Sequence, residues 1–331
     1  MPGHEIIVIG ASAGGIEAMT KIAPDLPATI PAAIFVVQHI PATGPSMLPE
    51  ILRRAGALPA RHPADGDAIE HGWIYVAPPD HHMLIEPGHI HVVRGPKENG
   101  FRPAIDATFR TAARAYGPRV AGVVLTGMLD DGTAGLLAIK RRRGMAIVQA
   151  PADAPFPSMP ASAMRYVEVD AALALVDIPP LLVRLAHQQP DPESEVPMSE
   201  QLDLEAGISE MDREAIERAD TLAKPAPFSC PDCGGVLAEF YDGDLLRFRC
   251  QVGHAFSQES LLACQTETLD RDLWAAFRSL DERATLARRL ARDAQRFNDS
   301  VGERRFAQLI EQAEWQKQRL RQALLKEQAG A

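Results

Sequence analysis

The sequence predicts an α/β fold in which a doubly wound, mostly parallel sheet lies between two layers of helices. Short, uniformly apolar runs such as Ile6–Ile9 and Val120–Leu125 have the composition of strands buried on both faces. Segments with helical spacing of apolar residues follow these runs, at Gly15–Ala23 and Thr133–Arg142. Alternation of buried strands with helices is typical of a three-layer α/β/α arrangement.

Length, charge and hydropathy limit the classes of protein to which the chain can belong. Its 331 residues suggest about two domains. The net charge of −10 at pH 7 leaves no basic surplus to neutralise phosphates, so we expect no nucleic-acid partner. The N-terminus lacks a basic leader, and no apolar run is long enough to span a bilayer. We therefore expect a cytoplasmic protein without membrane insertion.

The first buried strand leads into a tight turn that carries a serine. Gly10, Ser12 and Gly14 form a G-x-S-x-G pattern. The glycines permit a sharp turn, and the serine oxygen then lies beside the N-terminal amides of the following helix, which can stabilise an oxyanion. The pattern indicates a nucleophilic serine, and a glycine-rich phosphate or dinucleotide loop is the alternative.

The second apolar run, residues 32–37, ends in Gln38 and His39. A dinucleotide-binding unit has Asp or Glu there to hold a ribose, and a glycine at the position of Ser12. Both departures argue against a nucleotide-binding protein. His39 itself fits either a general base or a structural histidine.

Three β-rich runs separated by proline or glycine turns predict β-hairpins inserted into the fold. They are Trp73–Ala77, Met83–Glu86 and His89–Val93. His81 and His82 follow the proline turn. Histidines near such a loop more often line a substrate site or are inert than bind a metal.

The third strongly buried strand ends just before two aspartates. Functional groups of parallel sheets gather beyond the carboxyl ends of the strands. Ser12, His39 and Asp131 each follow a buried strand, so a nucleophile, a base and an orienting carboxylate fall on one edge of the sheet. Asp131 could instead be a turn or helix-cap residue, and Asp130 is an alternative carboxylate. The order Ser-His-Asp differs from that of the α/β hydrolases.

All four cysteines lie in the last third of the chain, which in a cytoplasmic protein indicates metal binding rather than disulfides. Cys230, Cys233, Cys250 and His254 have the spacing C-x2-C-x16-C-x3-H, which is typical of a tetrahedral zinc site in a zinc-ribbon-like module. Cys264 is an alternative to His254 as the fourth ligand. Four protein ligands close the site, so we expect the zinc to be structural.

Composition divides the chain into four predicted segments. They are an α/β domain at 1–187, an acidic linker with a possible helix at 188–224, the zinc-binding module at 225–265 and an α-helical hairpin at 266–331. The hairpin has two apolar stripes on either side of a break at 298–302. The stripes predict burial but not its partner, so a self-packed hairpin and a docking or dimerising element both fit.

Six short segments of the α/β domain form an ordered set. They are Gly10–Gly15, Gln38–Pro41, Tyr75–His82, Arg102–Asp106, Leu125–Met128 continued by Asp131-Gly132, and Met159-Pro160. Together they resemble the catalytic domain of bacterial chemotaxis protein-glutamate methylesterases, over roughly residues 4 to 186. The resemblance implies that Ser12 is the nucleophile, His39 the general base and Asp131 the carboxylate that holds His39.

The resemblance also implies a reaction and its partners. The expected reaction is hydrolysis of glutamate methyl esters on the cytoplasmic helices of chemoreceptors, with glutamine deamidation as a second activity and no catalytic cofactor. Backbone amides near Ala13 and Met128 are the expected oxyanion donors. The helical segment 266–331 is the candidate for binding a signalling partner or a second copy of the chain.

The chain departs from the family pattern at several positions. The family has Gly and Asn before its catalytic Asp-Gly, where this chain has Leu129 and Asp130. Ala150-Pro151 replaces residues that are usually acidic. Because the first strand begins soon after Met1, we expect no N-terminal receiver domain. The alternative functions are a catalytically silent scaffold that acts through the zinc and helical modules and, less favoured, a nucleotide-binding protein.

Overall fold

The structure is a computed structural model of the chain. It describes residues 3–189, 199–222 and 224–327. The chain divides into two compact units after Leu261. Parts of the predicted linker (190–198 and 223) and of the predicted hairpin (328–331) lie outside the described residues. The predicted boundaries at 187, 224 and 265 stay predictions, but the first unit contains the α/β sheet and the cysteine-bearing strands together.

A seven-stranded sheet forms the centre of the first unit. Its strands are β1 (Ile6–Ala11), β2 (Ala33–Gln38), β3 (Ala60–Arg61), β4 (Ile74–Val76), β7 (Val120–Val124), β8 (Met145–Gln149) and β9 (Ala171–Leu173), and β5 (His82–Glu86) and β6 (His89–Val93) form a separate hairpin. The order is β3-β4-β2-β1-β7-β8-β9, with every neighbouring pair parallel. The predicted doubly wound parallel sheet is confirmed.

Helices cover both faces of this sheet. They are α1 (Gly15–Ile22), α2 (Leu48–Ala55), α3 (Ile105–Tyr116), α4 (Thr133–Arg141), α5 (Ser158–Tyr166) and α6 (Ile178–His187). Alternate residues of β1 point to opposite faces, so Ile7 packs in the core with α1, α2 and α6. Val8 packs in the second core with α3, α4 and α5. Two separate apolar cores therefore stabilise three layers.

The prediction for Trp73–Ala77 was wrong in one respect. This run was assigned to the hairpins, but its central residues form β4 and pair in parallel with β2 and β3. All three residues of β4 are buried, because the strand lies inside the main sheet and not at its surface. The hairpin insertion consists of β5 and β6 alone, which pair in an antiparallel manner.

The remainder of the first unit is a second, antiparallel sheet with two helices. The elements are α7 (Glu200–Ser209), α8 (Arg213–Leu222), β10 (Lys224–Ser229), β11 (Val236–Asp242), β12 (Leu245–Cys250) and β13 (Ala255–Ser257). We call these four strands the ribbon. Its last strand reaches the α/β domain, where the Asn99 amide donates to the Ala255 carbonyl at 2.7 Å.

Five buried charged residues join α7 and the ribbon to α3. This ion cluster consists of Glu98, Arg110, Glu205, Arg247 and Arg249. Arg247 donates to Glu205 at 2.8 Å and to Glu98 at 3.2 Å. Arg110 donates to Glu98, and Arg249 donates to both oxygens of Glu205. The cluster thus links residues that are far apart in the chain.

Electrostatics within the ion cluster keep both carboxylates ionised. Burial alone pushes the pKa of Glu98 upward, but the charges of Arg110 and Arg247 outweigh burial and hold this pKa well below its ordinary value. Burial acts on Glu205 in the same way, and Arg249 and Arg247 lower its pKa to about 2. Each glutamate therefore depends on more than one arginine for its compensation.

The second unit continues the chain as a long helical hairpin. Helix α9 (Gln258–Arg296) begins in the first unit, and α10 (Ser300–Glu327) follows after three residues. Small residues such as Ala284 and Ala313 are buried in this unit, and Arg288 pairs with Glu314 across it. The predicted helical hairpin is confirmed. No helix in the described part of the chain is long and apolar enough to cross a membrane.

We expect Arg247→Ala to lower the free energy of unfolding by about 3–5 kcal/mol, because it leaves two buried glutamates with one fewer cation. Chemical denaturation measures this change. The matched control is Arg213→Ala, which removes an exposed ion pair with Glu217 and should change the same quantity by less than about 0.5 kcal/mol. Equal losses in both variants would contradict the role of the ion cluster.

Candidate active site

Ser12 lies in the turn between β1 and α1. The turn is sharp because Gly14 adopts φ +75°, a left-handed conformation that suits glycine. Gly10 allows α3 to approach, since a Cβ atom there would lie 2.3 Å from the Ile105 side chain. The Ser12 amide donates to the Thr126 carbonyl at 3.1 Å, which ties the turn to the end of β7. The serine is therefore fixed at the carboxyl edge of the sheet.

His39 follows β2 at the same edge and bridges Ser12 to Asp131. Its Nδ1 lies 3.1 Å from the Ser12 Oγ, and its Nε2 lies 2.7 Å from the Asp131 Oδ2. The ring of Phe101 stacks on the imidazole, with centroids 3.6 Å apart. The side-chain amide of Gln38 donates through its Nε2 to the carbonyls of Ser12 and His39, at 2.8 and 3.0 Å. These contacts define the orientation of the imidazole.

Asp131 is held by hydrogen-bond donors on every side. Its Oδ2 accepts from His39 and from the Ile105 amide at 2.7 Å, at the N-terminus of α3. Its Oδ1 accepts from the Asn99 side chain at 2.9 Å, from the Gly132 amide at 3.0 Å and from the Asp106 amide at 3.2 Å. Donors to both oxygens and a helix N-terminus favour the carboxylate form.

These donors determine the charge of Asp131. Burial raises its pKa, but the hydrogen bonds from His39, Ile105 and Asn99 and the charge of His39 outweigh burial and lower the pKa below its ordinary value. The neighbouring Asp106 behaves in the opposite way, since burial and the charge of Asp131 raise its pKa. Of this close pair, Asp131 holds the negative charge.

The two candidate carboxylates have different environments. Asp131 contacts His39, whereas Asp130 accepts a hydrogen bond from the Ser257 hydroxyl at 2.7 Å. Burial raises the pKa of Asp130 to about 6. Leu129, just before them, has φ +61°, the left-handed conformation that costs a residue with a Cβ about 1–2 kcal/mol. The geometry therefore brings Ser12, His39 and Asp131 together and leaves Asp130 outside that set.

The expected oxyanion donors lie next to Ser12. Ala13 follows Ser12 directly, and Met128 lies in the loop after β7, with a largely exposed side chain. Within the described ranges, neither backbone amide donates to a protein acceptor. Gly127, by contrast, donates to the Phe156 carbonyl at 2.9 Å, which fixes the position of this loop. The two amides are thus available to an oxygen of a bound substrate.

Other candidates from the sequence have structural roles. His82 is fully buried and lies 2.8 Å from the Pro96 carbonyl, and the Ala104 amide donates to its other nitrogen at 3.2 Å. His81 contacts the Pro79 carbonyl. Sequence reasoning missed Asn99 as a partner of Asp131. In the sequence, Asn99 lies three residues before the segment Arg102–Asp106, and no motif there indicates its contact with Asp131.

A second site in the ribbon brings four candidate metal ligands together. The donor atoms of Cys230, Cys233, Cys250 and His254 all lie within 4.8 Å of one another. The Cys233 and Cys250 sulfurs are 3.7 Å apart, and His254 Nδ1 is 3.5 Å from the Cys250 sulfur. Zinc–sulfur bonds of about 2.3 Å in a tetrahedron place sulfurs about 3.8 Å apart. The donor set and spacing therefore fit zinc, with His254 in the fourth position.

Comparison with known proteins shows that the model of a family described as CheB methylesterase matches residues 7–182. A putative protein-glutamate methylesterase/protein-glutamine glutaminase of Leptospira interrogans is 40% identical over 183 residues, 55% of this chain and 95% of that protein. A protein-glutamate methylesterase/protein-glutamine glutaminase of Moorella thermoacetica is 42% identical over 191 residues, 56% of this chain and 45% of that protein.

A solved structure gives the same match. The crystal structure of the Thermotoga maritima CheB methylesterase catalytic domain matches with a TM-score of 0.52 and 33% sequence identity. The match covers 55% of this chain and 98% of that domain. The family profile ends within α6, so α7, the ribbon and the helical hairpin lie outside it.

The geometry predicts different effects for the two adjacent aspartates. Both oxygens of Asp131 face hydrogen-bond donors, so Asp131→Asn places an NH2 group against donors and removes the charge that stabilises the His39 tautomer. The rate at which a fluorophosphonate modifies Ser12 should therefore fall by at least about 100-fold. Asp130→Asn retains an oxygen that can accept from Ser257, and labelling should stay within about threefold of the unchanged chain. Mass spectrometry of the modified peptide gives both rates. A reversed order of the two effects would assign the carboxylate role to Asp130.

Proposed function

The chain belongs to the CheB methylesterase family, and we propose that it hydrolyses methyl esters of glutamate side chains on a protein, with Ser12, His39 and Asp131 as its catalytic residues. The observation that carries this assignment of residues is the continuous pair of hydrogen bonds from Ser12 through His39 to Asp131. Deamidation of protein glutamine is the second proposed activity, because it uses the same steps with ammonia as the leaving group.

The reaction begins with a proton transfer. His39 Nδ1 accepts the proton of the Ser12 hydroxyl while the Ser12 oxygen attacks the ester carbonyl. The resulting oxyanion accepts from the backbone amides of Ala13 and Met128. His39 then returns the proton to the methoxy group, the acyl–oxygen bond breaks, and methanol leaves. Water, deprotonated by His39, hydrolyses the acyl-serine to release glutamate and restore Ser12.

Asp131 selects the form of His39 that can act as a base. Nδ1 accepts a proton only if the neutral ring carries its hydrogen on Nε2, and the Asp131 Oδ2 at 2.7 Å is the acceptor for that hydrogen. The low pKa of Asp131 keeps this acceptor ionised and stabilises the imidazolium that forms during the attack. The other donors to Asp131 hold the carboxylate in place as His39 changes charge.

The proposal includes a partner and a location. The relatives of the family are named for action on glutamate and glutamine of proteins, and the family resemblance points to the methylated cytoplasmic helices of chemoreceptors as the protein substrate. Reduced cysteines clustered as metal ligands are typical of the cytoplasm, where such receptors present these helices.

We further propose that the cysteine–histidine set of the ribbon holds a structural zinc ion. Cys230 and Cys233 flank a turn in which the Gly234 amide donates to the Cys230 carbonyl, while Cys250 and His254 flank the turn between β12 and β13. Four protein ligands leave no open position for a substrate. The ion would crosslink the two turns and so keep β13 in its place against the α/β domain.

The methylesterase proposal predicts methanol release from a methyl-esterified chemoreceptor cytoplasmic fragment, measured by gas chromatography. Ser12→Ala and His39→Ala should each lower the rate about 1,000-fold or more, because the first removes the nucleophile and the second the base that takes its proton. Matched controls are Ser279→Ala and His89→Ala, which alter exposed side chains elsewhere and should retain the original rate. Full release by Ser12→Ala would refute the nucleophile, and no release by the unchanged chain would refute the substrate.

The zinc proposal predicts about one zinc ion per purified chain by inductively coupled plasma mass spectrometry. Cys233→Ser should lose the ion and lower the midpoint of thermal unfolding, because metal binding contributes to folding. Cys264→Ser is the control and should keep both the ion and the midpoint. Loss of zinc from Cys264→Ser with retention in His254→Ala would replace His254 by Cys264 as the fourth ligand.

A further inference from the structure

The first turn of α9 is capped by two serines that are buried in the first unit. The Ser260 amide donates to the Ser257 hydroxyl at 3.0 Å, and the Ser257 amide donates to the Ser260 hydroxyl at 2.9 Å. This reciprocal pair is a capping box that satisfies two N–H groups at the helix N-terminus. Ser257 is 5% exposed and Ser260 is completely buried, so a hydroxyl proton in this pair needs an acceptor inside the protein.

Both hydroxyl groups find their acceptors on the catalytic side of the unit. Ser260 donates to the Asn99 Oδ1 at 2.9 Å, and Ser257 donates to the Asp130 Oδ1 at 2.7 Å. The Ser257 amide adds a third bond, to the Asn99 Oδ1 at 3.0 Å. Among the residues that the structure describes, Asn99 Oδ1 thus accepts only from those of the α9 cap. The capping serines lie outside the range that matches the methylesterase family.

The same side chain of Asn99 reaches the catalytic carboxylate through its other end. Its Nδ2 donates to Asp131 Oδ1 and to Asp106 Oδ2, each at 2.9 Å. Rotation of the amide by half a turn would direct the NH2 group at the Ser257 N–H and the carbonyl oxygen at the ionised Asp131, so that a donor faces a donor and an acceptor faces an acceptor. The α9 cap therefore determines which end of Asn99 faces Asp131.

We propose that Asn99 is a positioning residue for Asp131 and that Ser257 and Ser260, at the start of α9, hold Asn99 in its working orientation. The inference rests on the proposed function, since it concerns the same triad. It adds that the active site of this chain is completed by residues from beyond the family domain. Asn99 is buried and donates to Asp131, so it acts by holding the carboxylate that orients His39.

The physical effect of losing this support is specific. Asp131 retains the amides of Ile105, Asp106 and Gly132, so the carboxylate stays in the same region of the structure. However, the NH2 group that lies between Asp106 and Asp131 is then missing, and the Asp131 Oδ1 loses one of its three hydrogen-bond donors. The expected result is a less well oriented His39 and slower chemistry with unchanged substrate binding.

The test measures kcat and KM for methanol release, together with the rate of Ser12 labelling by a fluorophosphonate, in the full-length chain. Asn99→Ala should lower kcat about 10- to 100-fold, with KM within about twofold. Ser260→Ala should lower kcat about three- to tenfold. The double variant should equal Asn99→Ala alone, because Ser260 acts only through Asn99. Asn99→Asp keeps the size of the side chain and removes both donors, so it should lower kcat at least as much as Asn99→Ala.

The matched control is Ser199→Ala. Ser199 caps α7 through its hydroxyl, which accepts from the Leu202 amide at 3.2 Å. In the described part of the chain it makes no hydrogen bond to Asn99. It should therefore keep the original kcat while losing a comparable helix cap. An unchanged kcat in Ser260→Ala, equal losses in Ser260→Ala and Ser199→Ala, or additive losses in the double variant would each overturn the inference.

The two readouts separate the inference from the proposed function. If the unchanged chain releases no methanol but Ser12 is labelled, the substrate proposal fails and the labelling rates of the variants decide the positioning role. If methanol is released and the variants match the unchanged chain in both readouts, only the positioning role fails. If Ser12 is neither labelled nor active, the triad and the inference fail together.

Discussion

The geometry of the candidate active site depends on the hydrogen bonds that hold the ionised carboxylate of Asp131 in place. Its donors come from α3, from its own loop, from the residue after β2 and from the segment before α3, so it ties together elements from both halves of the sheet. A carboxylate in this position is stable only because each oxygen has donors that replace water. The same donors hold the carboxylate with its Oδ2 facing His39 Nε2, and an acceptor at that place favours the tautomer of His39 that carries its hydrogen on Nε2.

Much of this arrangement could be predicted from local sequence, and the rest could not for a physical reason. Buried strands are recognised from short, uniformly apolar runs, so the parallel sheet could be predicted from local sequence. Residues that directly follow parallel strands lie at the same edge of the sheet, so the convergence of Ser12, His39 and Asp131 could be predicted as well. The prediction for β4 was wrong because an apolar run of three residues has the same pattern in a hairpin as in a parallel sheet. Asn99 and the ion cluster were not predicted, because contacts such as Asn99–Ser257 and Glu98–Arg247 join residues more than 100 positions apart, where no periodicity connects them.

The loop before Asp131 shows how the chain accommodates two unusual residues. Leu129 holds a left-handed conformation that glycine adopts more easily, and Asp130 adds a second buried acid beside Asp131. The Ser257 hydroxyl gives Asp130 a donor, and that hydroxyl comes from the segment that follows the ribbon. A buried acid that is unfavourable in an isolated domain can therefore persist at position 130, since a later part of the same chain supplies its hydrogen-bond donor.

The ion cluster has a consequence for synthesis of the chain. Glu98 and Arg247 are separated by 149 residues, so at about 5–20 residues per second Glu98 leaves the ribosome roughly 7–30 s before its partner. During that interval Arg110 of α3 and the preceding Glu98 have no ribbon to cover them, and an apolar surface at the same place would attract other nascent chains. Charged residues at this join thus give the α/β domain a polar surface there until the segment that completes it has been synthesised.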